Sequence, residues 1–291
     1  MKVLNFGSLN YDHLYEVDHF VLPKETMSSL NYSRGFGGKG LNQSIALAKA
    51  GLEVYHAGRV GYDGQDFIDY LNKYGVNTKY LVKDESIATG HAIIQLCNGE
   101  NCIVLYGGAN QCVSKSQIDE TLKDFEKGDL LLIQNEISSL SYLIEKANEK
   151  GMKIAFNVAP FNKTVFTYPL DKIDIFIVNE VEASGLAGIN DDDYLKIAEA
   201  LSKKYQDKEI IMTVGANGSY YLKNETIIHQ DIYKVKAVDT TAAGDTFTGY
   251  FLSSYLKDGK IKDTLDLAAK ASSITVSSKG AADSIPAIQD L

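Results

Sequence analysis

The stretch Asp239-Thr-Thr-Ala-Ala-Gly-Asp-Thr-Phe247 decides the fold of this chain. The extended segment Ile232–Val238 leads into it, and an aromatic-rich run with helical spacing follows it. Small residues at a helix start let backbone N–H groups approach an anion closely, and the helix dipole adds partial positive charge there. Asp245 lies inside this group of donors. It is therefore either a simple helix cap or a reactive carboxylate.

A second glycine cluster, Gly35-Phe-Gly-Gly-Lys-Gly-Leu-Asn42, lies far upstream and precedes a predicted helix. It matches the dinucleotide fingerprint G-x-G-x-x-G, but the next strand, Val54–Ala57, does not end in the required acidic residue. It is not a phosphate-binding P-loop either, because Gly40 follows the lysine where Ser or Thr is needed. The cluster is either a tight turn or a turn that brings Lys39 and Asn42 to a polar ligand.

Bulk composition excludes several classes of protein. The 291 residues are 45% hydrophobic and 23% charged, which is typical of a globular protein with a substantial core. A net charge of −9 argues against binding to nucleic acid. We expect no membrane segment and a cytoplasmic location, because no apolar run approaches a membrane span. Three cysteines without CxxC spacing indicate free thiols rather than a zinc site.

Strand-like and helix-like runs alternate along most of the chain. This pattern predicts a doubly wound α/β fold with a mostly parallel central sheet flanked by helices. The expected strands are Val3–Phe6, Val54–Ala57, Leu130–Gln134, Lys153–Asn157, Ile173–Val178 and Ile210–Thr213, and the expected helices are 40–50, 64–74, 139–150, 181–187 and 192–205. Ligands of such sheets bind beyond the carboxyl ends of the strands. The polar residues expected at that edge are Asn10, Asp12, Glu136, Asn157, Asn179 and Thr213.

Two regions, at about 14–34 and 90–106, resemble β-strands without intervening helices. Asn98-Gly99 predicts a hairpin within the second region. Four strands inserted at the ligand edge would form a small sheet that covers the site. An exposed apolar sheet face needs cover. The candidates for contacting a second subunit are Tyr15, Val17, Tyr32, Ile94 and Leu96.

The two glycine motifs together resemble the two signatures of the ribokinase-like (PfkB) carbohydrate kinases. Further matches lie between them in the expected order: Asn10-Tyr11-Asp12, Gly107-Gly108-Ala109-Asn110, Glu136, Asn157-Val158-Ala159-Pro160, Asn179-Glu180-Val181-Glu182 and Thr213-Val214-Gly215-Ala216-Asn217-Gly218. The resemblance runs from residue 3 to about residue 286. It implies one kinase domain over 1–291, in which the small sheet is a lid and supports a homodimer.

This resemblance implies an ATP-dependent kinase that transfers the γ-phosphoryl group to a primary hydroxyl of a small sugar, D-ribose first. Asp245 is the expected base, and the N–H groups of Ala242, Ala243, Gly244 and Asp245 form the expected anion hole. A polyol is bound by carboxylates and amides. The expected sugar ligands are Asn10, Asp12, Gly38, Lys39, Asn42, Glu136 and Asp245, and the expected nucleotide ligands are Asn179, Thr213, Gly215, Asn217, Gly218 and Gly244.

Two metal ions are also implied by the resemblance. Asn179 and Glu182 match a motif that organises Mg²⁺ through waters, although acidic residues also suit a helix start. A potassium ion is expected as an activator beside the anion hole. Its candidate ligands are Asp239, Thr241, Thr275, Ser278, Gly280 and Ser284.

Alternatives stay open on the substrate. Gln43 after Asn42 favours a non-phosphorylated sugar within this family, but fructose, deoxyribose or a nucleoside would fit the same motifs. A non-catalytic sugar- or nucleotide-binding regulator could share the fold. Two departures from the family pattern, Asn135 before Glu136 and Val158 where proline is usual, weaken the ribose prediction more than the sugar-kinase prediction.

Overall fold

Thirteen β-strands form two sheets in the computed structural model, which describes residues 1–291. In chain order the strands are β1 (Val3–Phe6), β2 (Asn10–Glu16), β3 (Asn31–Gly37), β4 (Val54–Val60), β5 (Asn77–Lys83), β6 (Gly90–Cys97), β7 (Glu100–Tyr106), β8 (Leu130–Gln134), β9 (Lys153–Asn157), β10 (Ile175–Asn179), β11 (Glu209–Thr213), β12 (Ser219–Lys223) and β13 (Thr226–Gln230). The α-helices are α1 (Lys39–Lys49), α2 (Gln65–Lys73), α3 (Lys115–Leu122), α4 (Leu140–Glu149), α5 (Glu180–Ala187), α6 (Tyr194–Lys204), α7 (Ala243–Leu256) and α8 (Ile261–Val276).

The central sheet has nine strands in the order β13-β12-β11-β10-β9-β8-β1-β4-β5. All pairs from β11 to β5 are parallel, and the hairpin β12–β13 adds two antiparallel strands at one edge. Buried side chains from α1, α2, α7 and α8 cover one face, and those from α3, α4, α5 and α6 cover the other. Central strands buried on both faces are expected to be continuously apolar, as Leu130–Ile133 is. The predicted doubly wound α/β fold is confirmed.

A four-stranded sheet with the order β3-β2-β6-β7 forms the lid. Its strands differ from the predicted ones, since β2 begins at Asn10 and ends at Glu16 while β3 continues to Gly37. The candidate subunit contacts also divide between its faces. Tyr15 lies opposite Tyr32 on one face, whereas Ile94 lies opposite Leu14 on the other. Successive side chains of a strand point to opposite faces, so these residues cannot all meet one partner.

Four other features were not predicted. The strand β5, the helices α3 and α8 and the hairpin β12–β13 are present, whereas Ile232–Val238 forms no strand. The hairpin turns at Asn224 in a left-handed conformation (φ 52°), without the Asn-Gly pair that marks such turns in sequence. The segment 232–238 has the composition of a strand but is exposed and has no strand beside it. No helix has both the length and the hydropathy that crossing a membrane requires.

Candidate functional site

The start of α7 is the centre of the site. Ala242 adopts a left-handed conformation (φ 60°), which ends the preceding loop and starts the helix at Ala243. The N–H of Ala243 donates to the carbonyl oxygen of Thr240 at 3.3 Å. The N–H groups of Ala242, Gly244 and Asp245 have no acceptor within the protein. Three of the four expected donors are therefore free to bind an anion at a helix N-terminus.

Two consecutive residues of α1 hold the carboxylate of Asp245. The Asn42 side-chain amide donates to Oδ2 at 2.9 Å, and the Gln43 amide donates to Oδ1 at 2.8 Å. Asn42 Oδ1 is buried and has no partner within the protein. An unpaired buried acceptor is costly, so this oxygen is available to a hydroxyl group of a ligand. Asn42, an expected sugar ligand, thus also holds the carboxylate of Asp245.

The glycine turn before α1 brings the backbone against a second carboxylate. Gly38 has φ 100°, a conformation that a side chain disfavours. A Cβ atom added to Gly37 would lie 2.1 Å from Oδ2 of Asp12. A side chain at position 37 would therefore displace the Asp12 carboxylate from its place over the turn. Burial, together with the nearby charge of Glu136, raises the pKa of Asp12 to about 6.

Lys39 lies among three carboxylates. Burial disfavours its charged form, but the charges of Asp245, Glu136 and Glu182 outweigh that effect and raise the pKa of Lys39 above its usual value. Burial also raises the pKa of Glu136, although the Lys39 ammonium and a hydrogen bond from Ser8 oppose the rise. The backbone N–H of Lys39 donates to Glu136 at 3.4 Å. A buried cation close enough to three carboxylates to be stabilised by their charges suits a ligand rich in hydroxyl groups.

Asn10 is fixed by a residue to which the sequence assigned no role. The Asn110 amide donates to Asn10 Oδ1 at 2.9 Å and to the Leu9 carbonyl oxygen at 3.1 Å, while its own Oδ1 accepts from the Leu9 N–H. Asn110 is buried within the Gly107–Asn110 motif. It therefore ties the base of the lid to the site and orients Asn10.

A cavity of about 390 Å³ lies on the other side of the start of α7. Residues 232–237 and α8 form much of its wall, and the residues that line it include Thr213, Gly215, Gly218, Ile232, Tyr233, Val235, Ala243, Gly244, Phe247, Ala269 and Ser272. Four of the expected nucleotide ligands, Thr213, Gly215, Gly218 and Gly244, are among these. Asn179 and Asn217 are not, and the Asn217 carbonyl oxygen instead accepts from His229. The mostly apolar cavity suits a nucleobase beside the free N–H groups of α7.

Asn179 and Glu182 form a capping box at the start of α5. The Glu182 N–H donates to Asn179 Oδ1 at 2.8 Å, and both carboxylate oxygens of Glu182 accept from Asn179. Burial raises the pKa of Glu182, and the charge of Lys39 partly opposes this. The pair thus has a structural role at this helix start. Binding of Mg²⁺ through waters stays a prediction.

Most of the expected potassium ligands lie in the loop at 239–241 and at 275–280, whereas the Ser284 hydroxyl group donates to the Ala281 carbonyl oxygen. Asp239 accepts from the N–H groups of Thr241 at 2.9 Å and Gly280 at 3.1 Å, which joins the two loops. Despite burial, these bonds lower the pKa of Asp239 below its usual value. The Thr275 hydroxyl group is buried against α7, where it meets Thr246 Oγ1 at 3.0 Å. Only its carbonyl oxygen could face an ion, and that oxygen accepts from the Ser278 N–H.

The model of the pfkB family carbohydrate kinases matches residues 1–288. The chain belongs to this family. A ribokinase of Staphylococcus aureus is 33% identical over 100% of this chain and 98% of its own length, and a deoxyribokinase of Salmonella typhimurium is 30% identical over 99% and 97%. The structure of an Arabidopsis thaliana ribokinase complexed with ribose and ATP superposes with a TM-score of 0.87, at 30% identity, over 98% of this chain and 95% of that one. The predictions of this pfkB family and of a ribokinase-type kinase are confirmed.

Sequence reasoning missed two parts of this pfkB site. Gln43 entered only as a marker of substrate type, yet it contacts Asp245 directly. The sequence feature that could have indicated this contact is the position of Gln43 next to Asn42 at the start of a helix. The cavity wall from α8 was missed because that helix itself was not predicted.

Proposed function

We propose that this pfkB protein is an ATP-dependent ribokinase that phosphorylates the primary hydroxyl group of D-ribose. The observation that supports this most is the start of α7. Free N–H groups and Asp245 lie there between two regions. One contains Lys39 with Asp12 and Glu136, and the other is the apolar cavity that Gly244 lines. A sugar on one side and a nucleotide on the other would meet at these donors.

In the proposed reaction, Asp245 accepts the proton of the attacking hydroxyl group. Asn42 and Gln43 hold its carboxylate, while Asp12, Glu136 and Lys39 bind and orient the other hydroxyl groups. The N–H groups of Ala242, Gly244 and Asp245 bind the oxygens of the transferred phosphoryl group, where negative charge develops. Mg²⁺, when bound with ATP, supplies charge neutralisation of the phosphates. Asn179 and Glu182 would hold it through waters, with their side chains kept in place by bonds to each other.

Two further features complete the proposal. We propose residues 1–291 as one kinase domain, with a homodimer formed through the outer lid face around Tyr15 and Tyr32. Exposed apolar side chains on that face, such as Ile93 and Val104, support this. A cytoplasmic location is supported by the three free cysteines.

A potassium ion beside Asp239 would activate the enzyme by holding the loop that enters the anion hole. Because Asp239 already joins Thr241 to Gly280, an ion there would need only to stiffen an existing link. Turnover should be higher in potassium than in matched tetramethylammonium buffer. Equal rates in the two buffers would contradict this role, and Asp239→Ala should remove any difference.

A panel of substrates with an ADP-release assay tests the proposed function. Ribose should have the highest kcat/KM among ribose, 2-deoxyribose, fructose and adenosine. The similarity to a deoxyribokinase makes 2-deoxyribose the second candidate. If no sugar stimulates ADP release, the protein is a binding protein on the kinase fold and the proposal is wrong.

A further inference from the structure

A row of buried polar side chains crosses four neighbouring strands beneath α1. The strands β9, β8, β1 and β4 are adjacent in the sheet, and they contribute Asn157, Gln134, Asn5 and His56. Register places these side chains on the same face. Gln134 lies opposite Asn157, Asn5 lies opposite His56, and Asn5 also lies opposite Leu132, two residues before Gln134. The other buried side chains that these four strands place on this face are apolar, among them Val3, Val54, Leu130 and Leu132. We call the four side chains the polar row.

Hydrogen bonds join the polar row to the carboxylate of Asp245 through Gln43. The Gln43 amide nitrogen donates to Asp245 at 2.8 Å and to Asn157 Oδ1 at 3.1 Å. Its oxygen accepts from Gln134 at 2.7 Å, and Gln134 also donates to Asn5 Oδ1 at 2.9 Å. Gln43 is only 1% exposed. All hydrogen-bonding atoms of its side chain are thus used within the protein.

The chemistry of these groups fixes the orientation of each amide. An ionised carboxylate only accepts hydrogen bonds, so Gln43 must present its nitrogen to Asp245 and its oxygen to Gln134. Gln134 must then present its nitrogen, which leaves its second N–H for Asn5. Burying this many amides costs free energy that apolar side chains would not. The row therefore serves the carboxylate at its end rather than the packing of the sheet.

We infer that Gln43 is a positioning residue for the phosphoryl-transfer reaction, and that Gln134 and Asn157 anchor it. Gln43 sets the plane of the Asp245 carboxylate from the buried side, while Asn42 holds the other oxygen. This inference rests on the proposed role of Asp245 as the base. Gln43 itself touches neither substrate, since its side chain is directed into the polar row.

Single substitutions of similar volume test the inference. Gln43→Met should lower kcat about 10- to 100-fold, as expected for losing a hydrogen bond to a charged group, with both KM values nearly unchanged. Gln43→Glu should lower kcat at least as far, because it places a second carboxylate against Asp245. Gln134→Met keeps the contact between Gln43 and Asp245 and should have a smaller effect.

Ser44→Ala is the matched control. Ser44 follows Gln43 in α1 and is equally buried, but it bonds Asn5 and His56 on the far branch of the row, away from Asp245. Its kcat should stay within about twofold of wild type. If kcat follows the loss of melting temperature in every variant, the role of Gln43 is merely structural and the inference is wrong.

A double-mutant cycle with Asp245→Asn separates this inference from the proposed function. If Gln43 acts through Asp245, Gln43→Met should change kcat less than about twofold in the Asp245→Asn background. An undiminished loss in that background overturns the inference. Near-normal turnover of Asp245→Asn alone would instead overturn the base role. A low rate for Asp245→Asn together with normal turnover of Gln43→Met would leave the base role intact and remove the positioning role.

Discussion

The two sides of this pfkB site differ in how the chain builds them. The proposed sugar side takes charged side chains from four separate segments, at Asp12, Lys39, Glu136 and Asp245. The proposed nucleotide cavity is lined by residues from 213 to 276, and 9 of its 17 lining residues are hydrophobic. We therefore expect binding on the sugar side to depend on charges at fixed positions, and binding in the cavity to depend on its shape. Substitutions on the sugar side should therefore have larger effects than those in the cavity.

The largest effect is expected at Asp245, where the two sides meet. Asp245→Asn should lower kcat by roughly 10²- to 10⁴-fold, because proton transfer to a positioned base is lost. The KM for ATP should change little, since the free N–H groups remain. Steady-state kinetics at saturating sugar measure both. Turnover within a few-fold of wild type would exclude Asp245 as the base.

Lys39→Met should have the next largest effect. It leaves Glu136, Glu182 and Asp245 without their shared cation, and kcat/KM for the sugar should fall by about 30-fold or more. The KM for ATP should rise far less. Lys79→Met is the control, because that lysine forms an exposed ion pair with Asp124. Equal changes in both KM values would place the glycine turn on the nucleotide side.

Ala269→Leu tests the cavity by shape alone. Ala269 lines the cavity wall formed by α8, and a leucine there would occupy space that the nucleobase of ATP needs. The KM for ATP should rise about tenfold, a typical cost of overpacking, while the KM for the sugar stays constant. Lys262→Ala, at the exposed start of the same helix, should change neither value. A shift of the sugar KM alone would contradict the assignment of this cavity.

The smallest effect is a pH dependence on the sugar side. The raised pKa of Asp12, about 6, means that this carboxylate becomes neutral as the pH falls through 6. The kcat/KM for the sugar should therefore decline below pH 6. The Asp12→Asn variant should not show this decline, because its side chain does not titrate. Titration of Asp12 does not itself unfold the protein, because a pKa raised on folding makes Asp12 contribute more stability as the pH falls from 6 to 4. Melting temperatures measured in parallel provide the control.

Much of the fold and part of the site were predictable from local patterns. The strands that are mostly apolar, such as Leu130–Gln134, were placed correctly because they are covered on both faces. Edge elements such as Asn77–Lys83 were missed, since their polar, half-exposed pattern resembles a loop. The lid strands were shifted because no sharp turn signal marks where β2 leaves the site.

The sequence by itself determined which residues are chemically able to act, because glycines, carboxylates and amides follow strands and start helices in a recognisable order. It also determined the family. Only the tertiary structure decided their pairing. It placed Gln43 against Asp245 across more than 200 residues of chain and divided the lid's apolar residues between two faces. Contacts between segments distant in the chain depend on how the helices cross the sheet, and no local pattern records that geometry.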